Sequence, residues 1–157
     1  MTYTRLNALL VEYFGELEQL CNQIYQQSHG VTVYIEEMME LKDRGAQVVR
    51  YWDYDLKRLK EVRHKRNKLS HGEVSFGEAW AEKEDLDFLS EFKEKLLDQT
   101  DPIALYRKHL KAKTRKNARA NARRKKKRKN TSGCLAGMIA GVLVAVAAVW
   151  VYYYFIA

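Results

Sequence analysis

The residues whose types and spacing could do chemistry sit in one string, Arg63-His64-Lys65-Arg66-Asn67-Lys68-Leu69-Ser70-His71-Gly72. Arginine offers a fixed fork of donors that suits phosphate oxygens. Histidine titrates near neutrality and can move a proton. Together they point to phosphate-ester chemistry. A solvated helix end also attracts Lys and Arg through the helix dipole, which accounts for much of the charge but not for the order of residue types. Other chemistries lack their residues. Cys21 and Cys134 fall in different segments and make neither a disulfide framework nor a zinc site. No Ser/His/Asp set, P-loop or metal-ligand cluster is present, so no cofactor is expected.

The elements that must position this string read as helices. Leu6, Leu9, Leu10, Tyr13, Phe14, Leu17, Leu20, Cys21 and Ile24 form a helical stripe, with Gly30 as its stop. A second helix fits about Thr32 to Arg44, and Gly45 breaks it. A third runs from about Ala46 with Val48, Val49, Trp52, Leu56, Leu59 and Val62 inward, and ends near Leu69. A fourth spans roughly Trp80 to Leu97, with Ser75 and Glu78 as a capping box before it. Asp101-Pro102 is an N-cap followed by proline at the first helical position, and opens a fifth. No alternating run of strand length competes. The expected class is all-α, a small four- to five-helix bundle.

Arg66, Asn67 and His71, in the string RNKLSHG, resemble the signature of the HEPN superfamily: Arg, a polar residue, then His after four to six intervening positions. Here there are four, Asn67 to Ser70. The motif's place late in a helix of a short helical bundle is similar too. The resemblance covers about residues 1–110, and some seven residues carry it. It implies a metal-independent endoribonuclease acting as a homodimer, with two motifs lining one cleft. Arg66 would then bind the scissile phosphate, His71 would act as general acid or base, and Asn67 would orient them. Arg63, Lys65 and Lys68 would steer the RNA backbone. Many such domains are instead non-catalytic dimerisation or interaction modules.

The net charge of +8 is unevenly spread over the 157 residues. Residues 1–110 hold 16 basic and 20 acidic side chains, a balance of −4; residues 111–130 hold 12 basic and no acidic ones. A uniformly basic nucleic-acid-binding domain is thereby excluded, and a block this size is one small domain. The expected organisation is a helical domain at 1–110, a polybasic stalk at 111–132 and a transmembrane helix at 133–157. Leu135 to Ile156 is uncharged over 22 residues, long enough at about 1.5 Å per residue to cross a hydrocarbon core of about 30 Å. Trp150, Tyr152, Tyr153, Tyr154 and Phe155 suit the far interface. Gly133, Gly137, Gly141 and Ala145 form a small-residue row that suits close packing of two spans.

The cations before the span place the N-terminal block in the cytosol, and the N-terminus lacks a signal peptide's pattern. The expected localisation is thus a tail-anchored, single-pass membrane protein. The stalk's cations serve topology and anionic head groups; nucleic-acid binding is the competing use. Three readings follow. The first is a membrane-tethered ribonuclease, toxin-like or a defence effector, with an antitoxin-like protein among its partners. The second is a non-catalytic membrane-anchored module, and the third a nucleic-acid tether through the stalk alone.

Overall fold

A computed structural model describes residues 2–125. They form α1 (Tyr3–Tyr25), α2 (Gly30–Glu40), the short α3 (Lys42–Gly45), α4 (Trp52–Ser70) and α5 (Lys83–Leu97). Helical backbone also runs over 102–125. No strand occurs among the described residues, so the all-α class holds. Contacts divide the chain after Leu110. The expected span at 133–157, its small-residue row, and residues 126–132 of the stalk lie outside the described residues. Among those described, no helix is long and apolar enough to cross a membrane.

In the first unit α1 is the hub, packing against α2, α4 and α5. Its buried residues Leu10, Phe14, Leu17 and Cys21 recur at helical spacing. They join Ile35 and Met38 of α2, Leu59 and Val62 of α4, and Leu89 and Phe92 of α5 in one core. Burying each such side chain contributes about 1.5–3 kcal/mol. The Tyr34 and Phe92 rings meet edge to face at 5.5 Å between centroids, and the Tyr34 hydroxyl donates to Asp101 Oδ1 at 2.7 Å. The same oxygen accepts from the Ala104 amide at 3.1 Å. Asp101 therefore caps the helix that Pro102 begins, as the sequence suggests.

Several boundaries differ from the sequence expectation, each for a packing reason. Gly30 does not stop α1; it begins α2. A Cβ there would lie 2.4 Å from the Asn22 nitrogen and the Cys21 carbonyl carbon, so the glycine lets two backbones touch. The Asn22 side chain seals the contact by accepting from the Gly30 amide at 2.7 Å. The third long helix starts at Trp52 rather than near Ala46. Turns fill the gap, and Tyr51 at φ 65° swings the chain into α4. This seats the Trp52 indole over Gly45, with its Nε1 donating to the Met38 carbonyl at 3.3 Å. Val48, expected inside, is exposed, as are Ile24 and Leu97. The capping box at the start of α5 is Glu82 with Asp85; Ser75 and Glu78 instead close a turn in the preceding loop, the Ser75 amide donating to Glu78 Oε1 at 3.0 Å.

Candidate functional site

The string of interest occupies the last two turns of α4 and its cap. His71 is the C-cap residue. Gly72 follows at φ 71°, its amide donating to the Leu69 carbonyl at 3.3 Å and that of Glu73 to the Lys68 carbonyl at 3.0 Å. This is a Schellman termination, which needs a left-handed residue after the cap and so favours glycine at 72. The motif's ending in His-Gly thus has a backbone reason: His71 closes the helix and is left at the surface.

Arg66 is half-buried. Its guanidinium lies over the Phe14 ring of α1, 4.5 Å from the centroid, and Nη1 donates to Asn67 Oδ1 at 3.0 Å. Arg63, one turn earlier, donates from Nη1 to Thr32 Oγ1 of α2 at 3.2 Å. An ideal helix sets Arg66 and His71 about 140° apart around the axis, whereas Asn67 and His71 share a face one turn apart. Asn67 is therefore the link, bound to Arg66 through its side chain and aligned with His71 along the helix.

The other two candidates in the string are engaged elsewhere. Lys65 Nζ lies 2.7 Å from Asp85 Oδ2 and 3.5 Å from Glu82 Oε2. Lys68 Nζ lies 2.7 Å from Glu73 Oε2. The Lys68 hydrogen bond holds the Glu73 carboxyl below its usual range, and the charges of His71 and His64 add to the effect. The patch is thus far less basic than its sequence reads.

Arg58, Lys65, Lys68, Lys93 and Lys95 each pair with a carboxylate. Among the described residues, Arg63 and Arg66 are the half-buried cations with no carboxylate within ion-pair distance. Partial burial of an unpaired charge is costly, and an aromatic face beneath Arg66 offsets only part of it. Each guanidinium keeps donors beyond its side-chain hydrogen bond, to Thr32 for Arg63 and to Asn67 for Arg66.

Residues outside the string hold it in place. Asn7, fully buried in α1, donates from Nδ2 to the Phe76 and Glu78 carbonyls at 2.9 and 2.8 Å. Its Oδ1 accepts from the Ala81 amide at 2.9 Å. One side chain thereby pins the loop that leaves His71. Trp80 Nε1 donates to the Lys65 carbonyl at 3.2 Å and clasps that loop to α4. Asp85, with no exposed surface, receives Arg58 Nη2 at 2.9 Å as well as Lys65. Burial would push its carboxyl up; the hydrogen bonds from Lys65, the Glu82 amide and Arg58 outweigh this and hold it below the usual range. Cys21 is no nucleophile, since burial raises its thiol to about 12.

A depression of about 270 Å³ lined by Tyr13, Glu16, Leu89, Ser90 and Lys93 lies between α1 and α5, and contains no residue of the string. Among the described residues no group of three His, Cys, Asp or Glu side chains is placed to hold a metal ion.

The fold and site define a small helical domain carrying a termination motif with two unpaired, half-buried arginines. The chain belongs to a family of unknown function, DUF6548, whose sequence profile matches residues 9–155. No curated protein and no solved structure matches it.

Proposed function

We propose that the chain is a membrane-tethered, HEPN-like endoribonuclease that works without a metal, as a homodimer. The observation that carries this reading is Arg66, half-buried, fixed by Phe14 and Asn67, and without a carboxylate. Such a guanidinium is preorganised for a phosphate oxygen. In this reading His71 removes the proton from a ribose 2′-hydroxyl, whose oxygen attacks phosphorus. The P–O5′ bond breaks, and the His71 of a second copy protonates the leaving oxygen. One such histidine per motif explains the need for two protomers. Asn67 orients Arg66, and Arg63 guides the strand from the α2 side. Lys65 and Lys68 contribute less than their sequence position suggests, because Asp85 and Glu73 hold them. The uncharged run from Leu135 to Ile156 tethers the domain to a membrane with the domain on the cytosolic side. A toxin-like or defence role, restrained by an antitoxin-like protein, suits such a nuclease.

Full chain in detergent with EDTA, given varied RNAs, should release fragments ending in 2′,3′-cyclic phosphate. Arg66→Ala should abolish that product. Fragments with other termini, or equal cleavage by the variant, refute the assignment.

A second reading is a non-catalytic membrane-anchored module. The exposed His71 and the separate depression between α1 and α5 favour it. It predicts inert RNA assays and unchanged self-association in Arg66→Ala and His71→Ala.

A further inference from the structure

The helical segment 111–125 carries eight Lys or Arg residues and no acid, and every one of its residues is exposed. Lys111, Arg115, Arg119 and Arg123 recur at every fourth position. In a helix such residues drift only about 40° per step, so they form one strip about 18 Å long. Lys116 falls beside it, while Lys113 and Arg124 share the opposite side with Asn117 and Asn121. Like charges spaced by four weaken an isolated helix. A strip of them with no compensating acid is relieved when a polyanion lies along it.

We propose that this strip is a docking face for an anionic lipid surface. The segment has no large apolar residue and no aromatic one. It therefore lacks the apolar face of an inserting amphipathic helix, and lacks the rings that stack single-stranded bases. Contact is electrostatic and stays at the head groups. The apolar run begins at Leu135, ten residues beyond Lys125, which brings the strip to a bilayer; this step rests on the membrane-tether reading above. The docking face goes beyond a topology signal, because it depends on which side of the helix the charge occupies and not on its sum.

The test places the full chain in nanodiscs of neutral phosphatidylcholine and in discs enriched in phosphatidylserine. Trypsin cleaves after Lys and Arg, so cutting within 111–125 reports access to the strip directly. The parent should be cut about tenfold or more slowly in anionic discs at low salt, and equally fast in both at high salt. The double R115A/R119A should lose the protection. The double K113A/R124A, with the same charge loss on the opposite side, should keep most of it. Alanine preserves the helix, which circular dichroism confirms in both doubles. Equal loss in the two doubles, or equal cutting of the parent in both discs, overturns the proposal. So does protection supplied by added RNA in neutral discs with no effect of phosphatidylserine, which would assign the strip to nucleic acid. A chain that fails to enter neutral discs refutes the tether alone, and the strip is then read from tryptic protection of the same chain on phosphatidylserine vesicles.

Discussion

Replacing Asp85 with Asn should destabilise the bundle strongly, and in a pH-dependent way. Asp85 has no exposed surface, yet its carboxylate meets Lys65 at 2.7 Å, Arg58 at 2.9 Å and the Glu82 amide at 3.0 Å. Removing the charge leaves two cations facing a neutral amide. Breaking a buried pair costs about 3–5 kcal/mol. Arg58 keeps Glu61 at 2.9 Å and Lys65 keeps Glu82 at 3.5 Å, so the low end, about 3 kcal/mol, is expected. In a domain this size that lowers Tm by about 12 °C or more. The pH dependence has a definite sign. Because the folded carboxyl is held below its ordinary value of 3.8, its stabilisation is fully present above that value and is lost as pH falls through the lower folded value. Thermal unfolding of full chain and variant in detergent, followed by circular dichroism from neutral pH into acid, should show a large gap that narrows only in the acid range. An unchanged Tm, or a gap constant across that range, would show that Asp85 is not held by these charges.

Asp55 should behave oppositely. Burial raises its carboxyl despite Lys95 at 3.2 Å, so its charged form is disfavoured in the folded state as pH rises past the ordinary value. Asp55→Asn should therefore gain stability relative to the parent between acid and neutral pH, and denaturation at the two pH values checks this. Asn7→Ala removes three hydrogen bonds to the loop after His71 and should cost about 2–3 kcal/mol, with faster amide exchange at residues 73–81 by mass spectrometry. Gly30→Ala places a Cβ 2.4 Å from backbone atoms of α1; the helices must part, and chemical denaturation should show a loss of at least about 2 kcal/mol.

How much of this was legible in the sequence differs residue by residue. The Asp101-Pro102 cap and the stripes of α1 and α5 follow from local rules, and local rules suffice where a helix faces one core. Gly30 was misread because a glycine after a helical stripe signals a stop, whereas a close approach between helices is visible only in three dimensions. The start of α4 was misplaced because Val48 and Val49 fit a helical period, while the seat of Trp52 on α2 decides the boundary. Arg66, Asn67 and His71 were identifiable as types; Lys65 and Lys68 looked equally available. Asp85, twenty positions from Lys65, removes one of them from the patch, and spacing along the chain carries no trace of that pairing. Phe14 and Thr32 were hidden for the same reason. Asn7 had a usable signal, since it lies three and seven positions before Leu10 and Phe14, on the apolar side of α1. A polar residue at such a place needs partners, and here they are the loop that leaves His71.

The proposed nuclease role requires His71, which shares a helix face with Asn67 rather than with Arg66, to move the proton in RNA cleavage. The decisive measurement is the single-turnover cleavage rate of the full chain in EDTA, with and without His71→Ala. Cleavage by the parent and a loss of at least about a hundredfold in the variant are expected, at unchanged Tm because the His71 side chain is exposed. Cleavage that persists in His71→Ala, or a parent inert on every RNA offered, contradicts it.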